Sequence, residues 1–189
     1  MTEFQKMSQG LPYDAMDPEL VGLRRRARSL CWRLTTTDPG DERAVAAIIG
    51  ELLPNVKKAY ITPPFFCDYG INIFADDWFY CNAGCVFLDP AIIRIGGGTL
   101  FGPNAQIYTA THPVHPEKRR SGVEFAKSVF IGINAWIGGS SILCPGVSVG
   151  ENTVIGAGSV VTRDLPPNVT AAGNPCRIIK YIGEDPEAR

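Results

Sequence analysis

From Ile95 an aliphatic or aromatic residue, usually followed by glycine, returns at every sixth position over most of the C-terminal half of the chain. The series runs Ile95-Gly96, Phe101-Gly102, Ile107, Ile131-Gly132, Ile137-Gly138, Leu143, Val149-Gly150, Ile155-Gly156 and Val161. Side chains repeat about every 3.6 residues on a helix and every 2 along a strand, so neither element alone produces this register. A period of six is that of a hexapeptide β-helix, whose short strands meet at turns. One apolar side chain per strand points to the axis. The following glycine marks a bend where a Cβ would be crowded. Thr99, Ala105, Ala135, Ser141, Val147, Thr153, Ser159 and Leu165 keep the same register and are expected to pack beside the aliphatics.

At 189 residues the chain is long enough for one well-buried core with a small cap. A net charge of -1 argues against general binding to nucleic acid. No apolar run reaches the roughly 18 residues that cross a bilayer, and the polar start has no signal-peptide core. A cytoplasmic protein with neither a nucleic-acid nor a membrane partner is expected. Six scattered cysteines in such a chain read as free, mostly buried thiols.

Residues 1–58 carry helical periodicity and no hexads. Asp17 followed by Pro18 reads as an N-cap with proline at the first helical position, starting a helix to about Leu34. A second helix runs from Asp41 to Leu53 and stops at Pro54. Leu20, Leu23, Ala27, Leu30 and Leu34 form an apolar stripe, so this helical cap needs a surface to pack on. Arg24, Arg25, Arg26 and Arg28 read as a solvated helix face. Residues 59–183 form the predicted solenoid and 184–189 a tail. Within the solenoid the hexads of 59–92 are degenerate, and Ala75-Asp76-Asp77-Trp78 suggests a bulge. Residues 113–130 interrupt the repeat with a loop that either replaces or decorates a coil.

The only two histidines, His112 and His115, sit where the repeat breaks into that loop. Two are too few for a three-histidine zinc site within one chain. An imidazole can instead take a proton from a hydroxyl at neutral pH, an effect worth roughly 10²–10⁴ in rate. Read alone, either histidine is equally well a solvated loop residue.

Five ordered motifs add a resemblance: Y-T-A-T-H-P at Tyr108 to Pro113, N-A-W-I-G-G at Asn134 to Gly139, I-L-C-P-G-V at Ile142 to Val147, V-I-G-A-G-S-V-V-T at Val154 to Thr162, and A-G-N-P-C-R at Ala172 to Arg177. Together with D-P-E-L at Asp17 to Leu20, they resemble the maltose/galactoside O-acetyltransferase family over nearly the whole chain. The resemblance implies an all-β solenoid, a left-handed parallel β-helix with an N-terminal helical cap. It also implies a homotrimer with active sites between subunits, and transfer of acetyl from acetyl-CoA to a sugar hydroxyl without a metal or covalent intermediate.

By the same resemblance His112 is the general base. Asp68, Tyr80, Asn82, Asp89 and Glu124 line the acceptor. Trp136, Gly139, Ala157, Thr162 and Arg177 bind acetyl-CoA, with the Gly139 N–H facing the thioester oxygen; on charge alone, Arg163 and Lys180 join Arg177 as residues suited to its phosphates. Pro90 stands where galactoside-type members carry a second aspartate, which weakens galactoside specificity. Two other readings stay open at this point: acetylation of a different hydroxyl or an amine on the same fold, and a non-catalytic interaction module.

Overall fold

The computed structural model describes residues 1–183; the expected tail at 184–189 lies outside them. The chain opens with α1 (Glu3–Ser8), β1 (Tyr13–Asp14), α2 (Pro18–Thr36) and α3 (Glu42–Leu52). The two longer helices start as their caps dictate. Asp17 Oδ1 accepts Glu19 N at 2.9 Å with Pro18 at the first position, and Asp41 Oδ1 accepts Ala44 N at 3.0 Å. Helix α1 was not expected; a reciprocal cap between Thr2 and Gln5 supports it despite its shortness.

A parallel solenoid follows. Its upper coils hold β2 (Val56–Ile61), β3 (Phe65–Cys67), β4 (Ile73–Cys81), β5 (Cys85–Leu88), β6 (Ile93–Ile95), β7 (Thr99–Phe101) and β8 (Gln106–Tyr108). A decorating segment carries β9 (Ala110–Thr111), α4 (Pro116–Arg120) and β10 (Val123–Ala126). The lower coils hold β11 (Val129–Ile131), β12 (Trp136–Ile137), β13 (Ile142–Leu143), β14 (Ser148–Val149), β15 (Val154–Ile155), β16 (Val160–Val161) and β17 (Val169–Ala172), and β18 (Arg177–Tyr181) turns back antiparallel on β17.

Register divides these strands among three faces of a left-handed prism. The first face stacks β2, the end of β4, β7, β12, β15 and β17, and the second stacks β3, β5, β8, β13 and β16. The third stacks the start of β4, β6, β11 and β14. Inward residues fall directly on one another: Cys81, Phe101, Ile137, Ile155 and Ala171 form one column, and Cys67, Phe87, Ile107, Leu143 and Val161 another. All ten are buried, as are the eight smaller residues expected beside the aliphatics. Burial of each large side chain stabilises by about 1.5–3 kcal/mol. That repeated environment is why the sequence repeats.

Phe101 stacks directly on Ile137, just as Ile137 stacks on Ile155. The inserted segment therefore decorates the prism and replaces no coil. The expected irregularity at Asp76-Asp77 is present as a register shift where β2 meets β4. Strand β2 begins at Val56, ahead of the composition change at 59.

Open ends of a solenoid expose apolar coil and unpaired strand edges and need covering. At the top, Ala27, Leu30, Leu34, Ile48, Ile49 and Leu52 of α2 and α3 join the same core as Phe65 and Cys67. At the bottom, β18 covers β17. All six cysteines are free, and five are buried. No helix among the described residues is long and apolar enough to cross a membrane.

Candidate active site

The faces meet at three corners, and each corner stacks its turns in line. The first corner, between the first and second faces, holds Asn82–Gly84, Gly102–Asn104, Gly138–Ser140 and Gly156–Gly158. Gly102 shows why small residues recur there. A Cβ on it would lie 2.5 Å from Gly139 N in the next coil.

In each turn the residue after the leading position contributes no N–H to the stack. Pro103 has none, and Ala83 N is satisfied locally by Asn82 Oδ1 at 2.8 Å. Gly139 N and Ala157 N have no acceptor among the described residues, and both residues border a groove of about 590 Å³. Tyr80, Asn82, Pro103 and Trp136 also stand in its wall. Trp136 stands out from the first face, 55% exposed, between Leu100 and Val154. Because Asn82 Oδ1 is engaged by Ala83, its amide nitrogen is left to donate outward. Unpaired N–H groups on a rigid corner suit an oxygen that gains negative charge.

The second corner, between the second and third faces, holds the other sequence-predicted residues. Here the decorating segment leaves the prism: β9 pairs with β10, and β10 pairs with β1 of the N-terminal arm. His112 directly follows β9 and is exposed, while His115 lies farther out as the residue before α4. Glu124, on β10, is half-buried and accepts a hydrogen bond from Tyr13 Oη at 2.7 Å.

Asp68 follows β3 at this corner, half-buried. Burial raises its pKa, the charges of Arg24 and Arg28 oppose that, and Glu124 adds to it. Asp89, expected to line the acceptor, is instead fully buried at 0% exposure. Its oxygens accept Tyr69 N at 2.8 Å and Asn72 N at 3.3 Å, so it braces the turn that follows Asp68. Burial pushes its carboxyl up to about 7 despite those bonds.

Arg24 departs from the solvated-face reading. Its guanidinium donates to Tyr69 Oη and to Ala15 O, stacks on the Tyr69 ring at 5.6 Å, and lowers the pKa of Asp68. The spacing held the signal. Position 24 is four residues from Leu20 and three from Ala27, which places it on the buried stripe. Arg25 and Arg28 are exposed and Arg26 pairs with Glu51 at the surface.

The structure therefore splits the expected site. Tyr80, Asn82, Trp136, Gly139 and Ala157 share the first face and first corner. Asp68, His112 and Glu124 share the second corner, where Thr162 and Arg163 also lie, exposed, after β16. Arg177 and Lys180 lie on β18, opposite Ala172 and Thr170 at the foot of the first face. Within one chain the second face stands between the two groups.

Residues 6–57 match the family model for the maltose acetyltransferase hexapeptide capping motif, and residues 128–163 match six repeats of the bacterial transferase hexapeptide. The galactoside O-acetyltransferase of Escherichia coli is 37% identical over 96% of this chain and 85% of its own length. The crystal structure of a maltose O-acetyltransferase from Clostridium difficile superposes with a TM-score of 0.94 at 44% identity, covering 97% of this chain and 99% of that one. A hexapeptide-repeat acetyltransferase from Vibrio cholerae, solved with acetyl coenzyme A, gives a TM-score of 0.88 at 33% identity, covering 97% of this chain and 100% of that one. Sequence and fold thus agree with these proteins along nearly the full length, and the chain belongs to the maltose/galactoside O-acetyltransferase family.

Proposed function

We propose that this protein transfers acetyl from acetyl-CoA to a hydroxyl of a sugar of the maltose, glucose or galactoside kind, in sites completed by a second copy of the chain. The observation that carries the reading is the split between corners: a groove with two open N–H groups on one, an exposed imidazole with carboxylates on the other. Neither half suffices for transfer.

The groove fits a coenzyme thioester. Small residues let an extended pantetheine approach the backbone, and Arg177 and Lys180 at its foot are suited to phosphates. Bound acetyl-CoA supplies an activated acyl group. His112 takes the proton of the acceptor hydroxyl as its oxygen bonds to the acyl carbon. Gly139 N–H donates to the carbonyl oxygen as charge builds on it. The C–S bond then breaks, and the proton passes from the imidazole to the departing sulfur. Asn82, Tyr80, Asp68 and Glu124 offer the hydrogen-bonding groups that hold a polyhydroxyl acceptor.

A three-fold assembly brings the halves together. The outward column of the second face runs Phe66, Val86, Gln106, Ile142 and Val160, mostly apolar and half-buried. Three triangular prisms with this face toward a common axis set the first corner of each copy against the second corner of the next. A rotation that closes in this way gives a homotrimer. The test is release of free thiol from acetyl-CoA against a panel of mono- and disaccharides. Silence on every sugar, or turnover only with amines, would overturn the reading.

A further inference from the structure

The decorating segment does not stand alone. Its strand β10 sits in a three-stranded antiparallel sheet, with Tyr13 opposite Glu124, Asp14 opposite Val123, Phe125 opposite Thr111 and Ala126 opposite Ala110. One outer strand is β9, which runs straight into His112. The other is β1, from the N-terminal arm more than a hundred residues earlier in the chain. Strand β1 is only two residues long, and the arm secures it: Glu3 of α1 accepts Asp14 N at 2.7 Å while pairing with Lys6.

Tyr13 is the arm residue that reaches the site. It is 2% exposed, packed with Met7, Leu20, Tyr69, Ala91 and Ala126, and its hydroxyl donates to Glu124 Oε2. Among the described residues that hydroxyl is the one hydrogen-bond partner of the Glu124 carboxylate, and no cation pairs with it. Burial together with Glu124 pushes the phenol well above its usual range, so it stays a neutral donor. A half-buried carboxylate held through one oxygen keeps the other free to accept. The neighbouring charges matter too, since Glu124 is close enough to Asp68 to raise its pKa. A displaced Glu124 would change that balance.

We infer that Tyr13 is a positioning residue for acceptor recognition. Its buried hydroxyl fixes Glu124 Oε2 so that Oε1 presents to a hydroxyl of the acceptor, and the N-terminal arm thereby sets acceptor specificity. The inference rests on the proposed acceptor-lining role of Glu124. The ligand class is a polyhydroxyl compound whose donor meets a fixed, charged acceptor.

The experiment is steady-state kinetics of the full-length protein with acetyl-CoA and one accepted sugar, comparing wild type, Tyr13→Phe, Glu124→Ala and the double variant. Tyr13→Phe keeps the buried ring and removes one hydrogen bond to a charged group. It is expected to raise the acceptor KM about tenfold, with kcat and the acetyl-CoA KM unchanged within about twofold. In the Glu124→Ala background it should add nothing. KM does not depend on how much of a preparation is active, so a less stable variant still answers the question. If Glu124→Ala leaves the acceptor KM unchanged, the acceptor role of Glu124 falls and the inference with it. If Glu124→Ala raises that KM but Tyr13→Phe does not, or if the two effects add in full, only the positioning role of Tyr13 is overturned.

Discussion

Replacing glycine by alanine should have opposite signs at two places in this molecule. Gly22 lies in α2 with nothing within 4 Å of where a Cβ would stand. Alanine there reduces the freedom of the unfolded chain without touching anything, and should stabilise by about 0.5–1 kcal/mol. For a chain of this size that raises Tm by about 1–4 °C. At Gly102 the same methyl would sit 2.5 Å from Gly139 N and 2.9 Å from Gly139 Cα, both backbone atoms of the next coil. Backbone cannot rotate aside as a side chain can. The coils must part where Gly102 N donates to Ile137 O at 2.8 Å, at a cost of about 1–3 kcal/mol or more. Parting them also moves the open Gly139 N–H, so the acetyl-CoA KM should rise in Gly102→Ala and stay constant in Gly22→Ala. Thermal unfolding followed by circular dichroism, with kinetics on the same samples, reads both effects. A silent Gly102→Ala, or two variants that shift in the same direction, would refute direct stacking of these corners.

Three further outcomes are expected. His112→Ala should cut kcat by roughly 10²–10⁴ with the acetyl-CoA KM unchanged, whereas His115→Ala should act mainly on the acceptor KM; comparable losses in kcat would overturn the assignment. Asp89 carries a carboxyl raised by burial to about 7, so the folded chain keeps a proton that the unfolded chain releases near pH 4. Its contribution is fully present below about pH 4 and is lost as pH climbs toward 7. Asp89→Asn should therefore gain on wild type over that window by up to about 4 kcal/mol, and urea midpoints whose difference stays flat across it would contradict the burial argument. With five of the six thiols buried and all free, Ellman's reagent should find six in denaturant and at most one rapidly in the native protein; fewer than six after denaturation without reductant would reveal a disulfide.

The lower coils were legible because each repeats one environment, and the aliphatic at every sixth position of 131–161 occupies the same inward place. The upper coils were less so. Phenylalanine takes over the inward positions at Phe65, Phe79, Phe87 and Phe101, where rings meet edge to face, and the Asp76-Asp77 shift breaks the count. Helix α1 leaves no periodic mark in the sequence because six residues are too few to show one. The separation of the candidate residues between corners is present in the register. Ala157 and Arg163 are six positions apart, which on a prism means neighbouring corners with the second face between them. The buried place of Asp89 follows from a turn that folds over it, and no local pattern marks that.

If the halves of each site come from neighbouring copies, as proposed, two differently broken chains should complement each other. Asn82→Ala weakens the hold on the acceptor at the first corner and His112→Ala removes the base at the second, so at a sugar concentration well below the wild-type KM each variant alone should turn over at least about tenfold more slowly than wild type. Denatured together in equal amounts and refolded into mixed trimers, they should recover about a quarter of wild-type turnover, because a random neighbour pair is intact at both corners in about one case of four. Acetyl-CoA thiol release with an accepted sugar is the readout. Recovery near that fraction bears out a shared site; mixed trimers as inactive as the separate variants would place both corners of each site in a single chain and contradict it.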